Sequence, residues 1–203
     1  MTNEYYETAV SKGWHENDER SPTKSWKARI VRWLDKLRGW LTKDGSPTAR
    51  QQLAWLSLIM TEWLEALDDA MDGIVWSVAE NGKPEGLLSE LADIYIRCQD
   101  TIGAMGGDAE KAKRNRAFIP RQVVDKIAYA VGAAAECCRA AGRDTYLEYL
   151  GAIMFECEVR ATNVLNEERR KDIANLPMCW AEVVYLKAEY NKTRPWMHGG
   201  KLV

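Results

Sequence analysis

Residues 53–67 read LAWLSLIMTEWLEAL, a run that is apolar at nearly every helical position yet carries Glu62 and Glu65. Its spacing is that of a helix, and the same period recurs along most of the chain. A first helix is expected from Pro22 or Thr23 to Leu41, with Ser21 as its cap. Trp26, Ile30, Trp33, Leu34, Leu37 and Leu41 would line one face of it, and most of its Lys and Arg would lie off that face. A second is expected from Ser46-Pro47 to Met71, with Leu53, Leu56, Met60, Leu64 and Leu67 opposite the acids. ENGKPEG (80–86) breaks the pattern, and a third helix runs from Leu87 to Ala104, where GAMGGD stops it. Further helices are expected over 120–141, 144–168 and 177–191, separated by AGRD and NLP, before a turn-rich tail. No sustained alternation or hairpin signature suggests strands, so the expected fold class is all-α, a helical bundle.

A length of 203 residues and 46% hydrophobic content suit one domain with a sizeable core. Lys and Arg number 28 against 30 Asp and Glu, a net charge of −2 that argues against nucleic acid or an anionic membrane as partner. No stretch reaches the roughly 18–20 apolar residues of a membrane span. The polar N-terminus lacks the order of a signal peptide, and five cysteines without metal-site spacing suggest reduced thiols, so a cytoplasmic location is expected.

Residues three apart on a helix are offset by roughly 60°, so Glu62 and Glu65 project together. Burying bare carboxylates costs several kcal/mol each unless a cation or donors meet them. SELADIYIRCQD (89–100) repeats the spacing with Glu90 and Asp93 on a conventionally amphipathic helix, with Arg97 and Asp100 further along. Two such helices packed antiparallel would direct four carboxylates into one pocket, an oxygen-only set suited to Mg²⁺ or Mn²⁺. A di-iron bundle needs Glu-x-x-His pairs, and the two histidines, His15 and His198, lie in the terminal segments.

The tail KAEYNKTRPWMHGGK (187–201) alternates Lys187, Asn191, Lys192, Arg194, His198 and Lys201 with aromatic residues and glycines. Arg forks and Lys point charges of this kind suit a polyphosphate. Glu62-x-x-Glu65 followed by Glu90-x-x-Asp93 within ELADIYIR, together with this tail, resembles the signature of the MazG-like all-α nucleoside triphosphate pyrophosphohydrolases, many of them phage-encoded. The resemblance covers about 53–104 and 181–201. It implies that Glu62, Glu65, Glu90 and Asp93 bind Mg²⁺, with Mn²⁺ as a substitute, and serve catalysis. Lys187, Asn191, Arg194, His198 and Lys201 would hold the phosphates. The implied reaction cleaves a nucleoside triphosphate, of the deoxy series for preference, to monophosphate and pyrophosphate, in a homodimer or homotetramer within the cytoplasm of the cell or phage host.

The chain departs from the family pattern in one respect: two extra helices stand between the ExxD helix and the tail. One domain is therefore expected over 1–203. It would comprise a metal-binding core (20–105), a helical insertion or degenerate repeat (106–180) and a phosphate-binding motif (181–203). IMTE (59–62) against IMFE (153–156), and ADIYI (92–96) against AEVVY (181–185), fit such a repeat or a chance likeness of amphipathic helices, and Val159 falls where a partner for Glu65 would be. Trp55, on nearly the same side as Glu62, is the candidate for base stacking. The basic cluster 109–118 is expected to be a solvated helix end and the 24–43 helix to pack on the bundle. The alternative function is a catalytically inactive helical adaptor or nucleotide-binding protein of the same fold.

Overall fold

The computed structural model describes residues 47–140, 142–171 and 175–194; the expected helix over 22–41 lies outside them. The described residues are mostly helical, as an all-α bundle requires. The elements are α1 (Ala49–Met71), β1 (Ser77–Val78), β2 (Pro84–Glu85), α2 (Leu87–Ala104), α3 (Ala109–Arg114), α4 (Lys126–Ala140), α5 (Arg143–Arg169) and α6 (Trp180–Thr193).

The start of α1 is set by a capping box. The Thr48 hydroxyl accepts from the Gln51 amide at 3.2 Å while the Gln51 side chain accepts from the Thr48 amide at 2.9 Å. This reciprocal pair moves the start from the expected Ser46-Pro47 to Ala49. The buried face of α1 also differs from expectation. It consists of Leu56, Ile59, Glu62, Trp63 and Ala66, whereas Leu53 and Leu64 are exposed. Glu62 therefore sits on the core side with Glu65 at its exposed edge, and of the leucine stripe placed opposite them Leu56 is buried while Leu53 and Leu64 face outward. Trp63 decides the orientation: its indole N–H donates to Asp125 at 2.9 Å, and the Arg160 guanidinium lies 4.6 Å from its ring centroid.

Between α1 and α2 the chain forms a two-stranded antiparallel hairpin, pairing Ser77 with Glu85 and Val78 with Pro84. Strands of two residues are too short to show alternation, so ENGKPEG carried no strand signal. Gly86 (φ 95°) then turns the chain into α2 so closely against the hairpin that an added Cβ would lie 2.9 Å from the Val75 carbonyl. The Leu87 and Leu88 amides donate back to Ile74 and Val75, which fixes the start of the helix that carries Glu90.

Helix α2 has the expected bounds, but it is not conventionally amphipathic. Every residue from Leu87 to Tyr95 is buried, because α1, α5, α6, α3 and β2 all pack around it. One apolar cluster joins α1, α2, α4, α5 and α6 through residues such as Ile59, Leu91, Ile127, Ile153 and Val183. Helix α4 begins six residues later than expected, where Asp125 accepts from the Ala128 amide at 3.0 Å. The basic cluster is a largely solvated helix end, as expected, but of a separate short helix. It forms α3, capped by the Asp108 carboxylate, with Ala112 buried against α5.

The contact between α3 and α5 is backbone on backbone. A Cβ at Gly151 would lie 2.1 Å from the Ala112 carbonyl oxygen, so no larger residue fits without displacing α3. Gly151→Ala should cost about 1–3 kcal/mol by this overpacking. Thermal melting should show the loss, with amide exchange accelerated first in α3; unchanged melting would mean that the two helices are not in contact.

Candidate metal centre

The acids of α1 and α2 meet. Carboxylate oxygens of Glu62, Glu65 and Glu90 all lie within 4.8 Å of one another, a group of three that could hold a metal ion. Arg97 of α2 binds Glu62, its Nε donating to Oε1 at 2.9 Å and its terminal nitrogen contacting the same oxygen. Asp93 stands next to this group, and its oxygens are engaged by α6. Lys187 Nζ lies 2.9 Å from Oδ2, and Asn191 Nδ2 donates to Oδ1 at 2.9 Å.

Lys187 is the centre of this arrangement. It is 1% exposed, donates to Ser89 Oγ at 2.6 Å and lies 3.7 Å from Glu90 Oε1. Ser89 in turn donates to the Pro84 carbonyl at 2.7 Å, so the hairpin sets the height at which the lysine is received. Helix α6 thus reaches the acids of its own chain across three intervening helices, α3, α4 and α5, one more than expected. Arg194 forms the C-cap of α6, and His198 and Lys201 lie outside the described residues. Trp55 is half-buried and packs against the core.

The surroundings drive the acids apart in protonation. Burial pushes the Glu90 carboxyl up to about 8, and the charges of Asp93 and Glu62 and a hydrogen bond with Glu62 add to this, against the pull of Lys187. Glu90 therefore keeps its proton at neutral pH. For Asp93 burial acts in the same sense, but Lys187, Arg97 and Asn191 outweigh it and hold the carboxyl below its usual range. Burial alone would discharge Lys187; Asp93 and Glu90 reverse that and raise it. Glu65, on the open side, is raised by burial and then by Glu62 and Asp93.

Ser89 and Arg97 hold the site together. Arg97 stands four residues after Asp93 and could have been recognised as the cation for one of the acids. Ser89, four before Asp93, gave no such sign, since its partners are remote in sequence. Compared with known proteins, the chain matches no family model, no curated protein and no solved structure.

Two outcomes follow from these charges. Lys187→Met leaves Asp93 buried and unpaired, a change that typically costs about 3–5 kcal/mol. Thermal melting should show that loss, with partial recovery when Asp93→Asn is added; a stable single variant would mean that the lysine is not buried in solution. The second concerns pH. Folded chain holds a proton on Glu90 from the ordinary value of 4.5 up to about 8, where unfolded chain has released it. That contribution to stability is full below 4.5 and is lost as pH rises to about 8. Without divalent ions, melting temperature should fall across this window by roughly 2–4 °C per kcal/mol, and Glu90→Gln should flatten the slope.

Proposed function

We propose that the protein hydrolyses a nucleoside triphosphate, preferably of the deoxy series, to the monophosphate and pyrophosphate with Mg²⁺ or Mn²⁺. The observation that carries this reading is the convergence of Glu62, Glu65 and Glu90 within 4.8 Å beside the Lys187–Asp93–Asn191 group. An oxygen-only donor set suits a hard divalent cation. Asn191 Oδ1 is also buried without a hydrogen-bond partner among the described residues, which leaves an acceptor for a ligand or water.

Glu62, Glu65 and Glu90 would hold the cation, Glu90 releasing its proton to solvent as the ion binds, with Asp93 a turn further along α2. When bound, the ion supplies charge neutralisation at the non-bridging oxygens around the α-phosphorus. Glu65, the acid open to solvent, orients the attacking water and accepts its proton as the new O–P bond forms and the bond to the pyrophosphate oxygen breaks. Arg97 keeps Glu62 aligned. Lys187, buried against Asp93 and Glu90, would hold those acids in place, and Asn191, with Arg194, His198 and Lys201 of the tail, would meet the phosphates. Trp55, on the Glu62 side of α1, would meet the base. Leu53, Leu64 and Met71 share one exposed stripe of α1, which favours a homodimer or homotetramer. No helix among the described residues is long and apolar enough to cross a membrane.

A second reading is favoured by the internal pairing of Glu62 with Arg97 and Asp93 with Lys187. Acids so satisfied could brace the bundle of a catalytically inactive adaptor.

Incubation with each common NTP and dNTP, with and without Mg²⁺ or Mn²⁺, separates the two. Monophosphate plus pyrophosphate, strictly metal-dependent, is the expected result, and Glu65→Gln should reduce turnover by about 10²–10⁴-fold with unchanged circular dichroism. Diphosphate plus orthophosphate would refute attack at the α-phosphorus. Absence of turnover across the panel would favour the adaptor.

A further inference from the structure

Helices α3 and α5 enclose a groove of about 450 Å³, lined by Lys113, Arg114, Arg116, Phe155, Thr162 and Asn163 among others. It is distinct from the carboxylate cluster. Its link to α2 is Tyr95, whose hydroxyl accepts from Lys113 at 3.3 Å. Tyr95 lies roughly 140° from Glu90 and 160° from Asp93 around a helix that advances about 100° per residue. The groove therefore opens on the opposite side of α2 from those acids.

Its charges do not cancel. Glu158, the acid in the lining, is met by Lys113 at 3.0 Å. Arg114 is exposed and has no ion-pair partner among the described residues. The Arg116 guanidinium lies 3.6 Å from the Phe155 ring centroid and spends one N–H on the Lys113 carbonyl at 3.3 Å. A guanidinium carries five donors in one plane, so Arg116 keeps a fork of donors and a second flat face. The Thr162 and Asn163 side chains make no hydrogen bonds among the described residues and add neutral donors to the same wall.

We infer that this groove is a second binding site, for a phosphorylated small molecule with a flat ring, of the nucleoside monophosphate class. Arg114 and Arg116 fork onto the phosphate oxygens, and the ring lies on the outer face of the Arg116–Phe155 stack. The volume falls within the roughly 300–1,000 Å³ of small-molecule sites.

Calorimetric titration in EDTA tests this without turnover and so does not depend on the hydrolysis proposed above. The probes are inorganic phosphate, dAMP and dTMP, added to the wild-type chain, Arg114→Ala/Arg116→Ala, Arg116→Lys and Glu65→Gln. Saturable binding is expected, with at least one nucleotide bound ten-fold or more tighter than phosphate. The double variant should lose at least ten-fold in affinity, and Glu65→Gln should match the wild type. Arg116→Lys, which keeps the charge without the flat fork, should bind phosphate and lose the preference for nucleotide. No saturable binding, or a double variant that binds like the wild type, would overturn the site. Equal affinity for phosphate and both nucleotides would overturn the stacked ring.

Discussion

A buried lysine makes the carboxylate cluster possible. Taking Glu62, Glu90 and Asp93 out of water costs several kcal/mol for each ionised group, and the apolar walls of α1 and α2 offer nothing in return. Lys187 answers that cost directly, with Asp93, Glu90 and Ser89 around its ammonium. Because it stands on α6, the charge pair is also a tertiary contact of long reach. Helix α6 has to dock against α2 in one register, and Asn191, one turn further on, then meets Asp93. Asp93 without α6 would be a buried charge, and α6 without Asp93 would carry an ammonium into the core. The two elements specify each other.

The same group divides the acids by state. Asp93, closest to the lysine, is held ionised. Glu90, on its far side and hydrogen-bonded to Glu62, stays protonated at neutral pH. Glu62 takes its charge partner from Arg97, so it too is fixed in position. Glu65 is the one of the four with solvent in reach, and its raised pKa comes from neighbouring charge as well as burial. Titratable groups pushed in opposite directions within one small volume are a mark of sites built to bind or transfer charge, although structural networks share it. Here the most perturbed groups lie innermost and the group best placed to act on a ligand lies outermost.

Much of this was legible in the chain because it depends on local period. The i, i+3 pairs placed Glu62 with Glu65 and Glu90 with Asp93, and the apolar runs placed α2 to the residue. What was not legible depends on partners. The core face of α1 is shifted from the expected leucine stripe because Leu53 and Leu64 are as apolar as Leu56 and Ile59; Trp63, tied to Asp125 across the bundle, turns the Leu56 and Ile59 side inward. Helix α2 read as amphipathic because its polar residues, Ser89, Glu90 and Asp93, are buried by pairing and not exposed. Helix α3 has too little apolar pattern to stand out as a separate helix; Ala112 seated on Gly151 and Lys113 paired with Glu158 and Tyr95 hold it.

The internal echo shows how little a local motif determines by itself. Ile59 and Glu62 in α1 are matched by Ile153 and Glu156 in α5, and both isoleucines are fully buried. The glutamates nevertheless have different fates. Glu62 faces α2, where Glu90 stands opposite it and Arg97 grips it, and so joins a cluster. Glu156 faces α4 and meets Lys126 at 3.3 Å, a partly exposed pair of the kind worth about 0–1 kcal/mol. The second pair of the echo behaves alike: Asp93 receives Lys187, whereas Glu182 turns back to accept the Met178 amide at the start of its own helix. The echo keeps one acid of each pair, with Val159 and Cys179 at the places of Glu65 and Glu90, and yields ordinary surface chemistry where the first copy yields a charged pocket. The facing helix makes the difference: a lone lysine neutralises one glutamate, whereas a second acid across the interface demands a further cation.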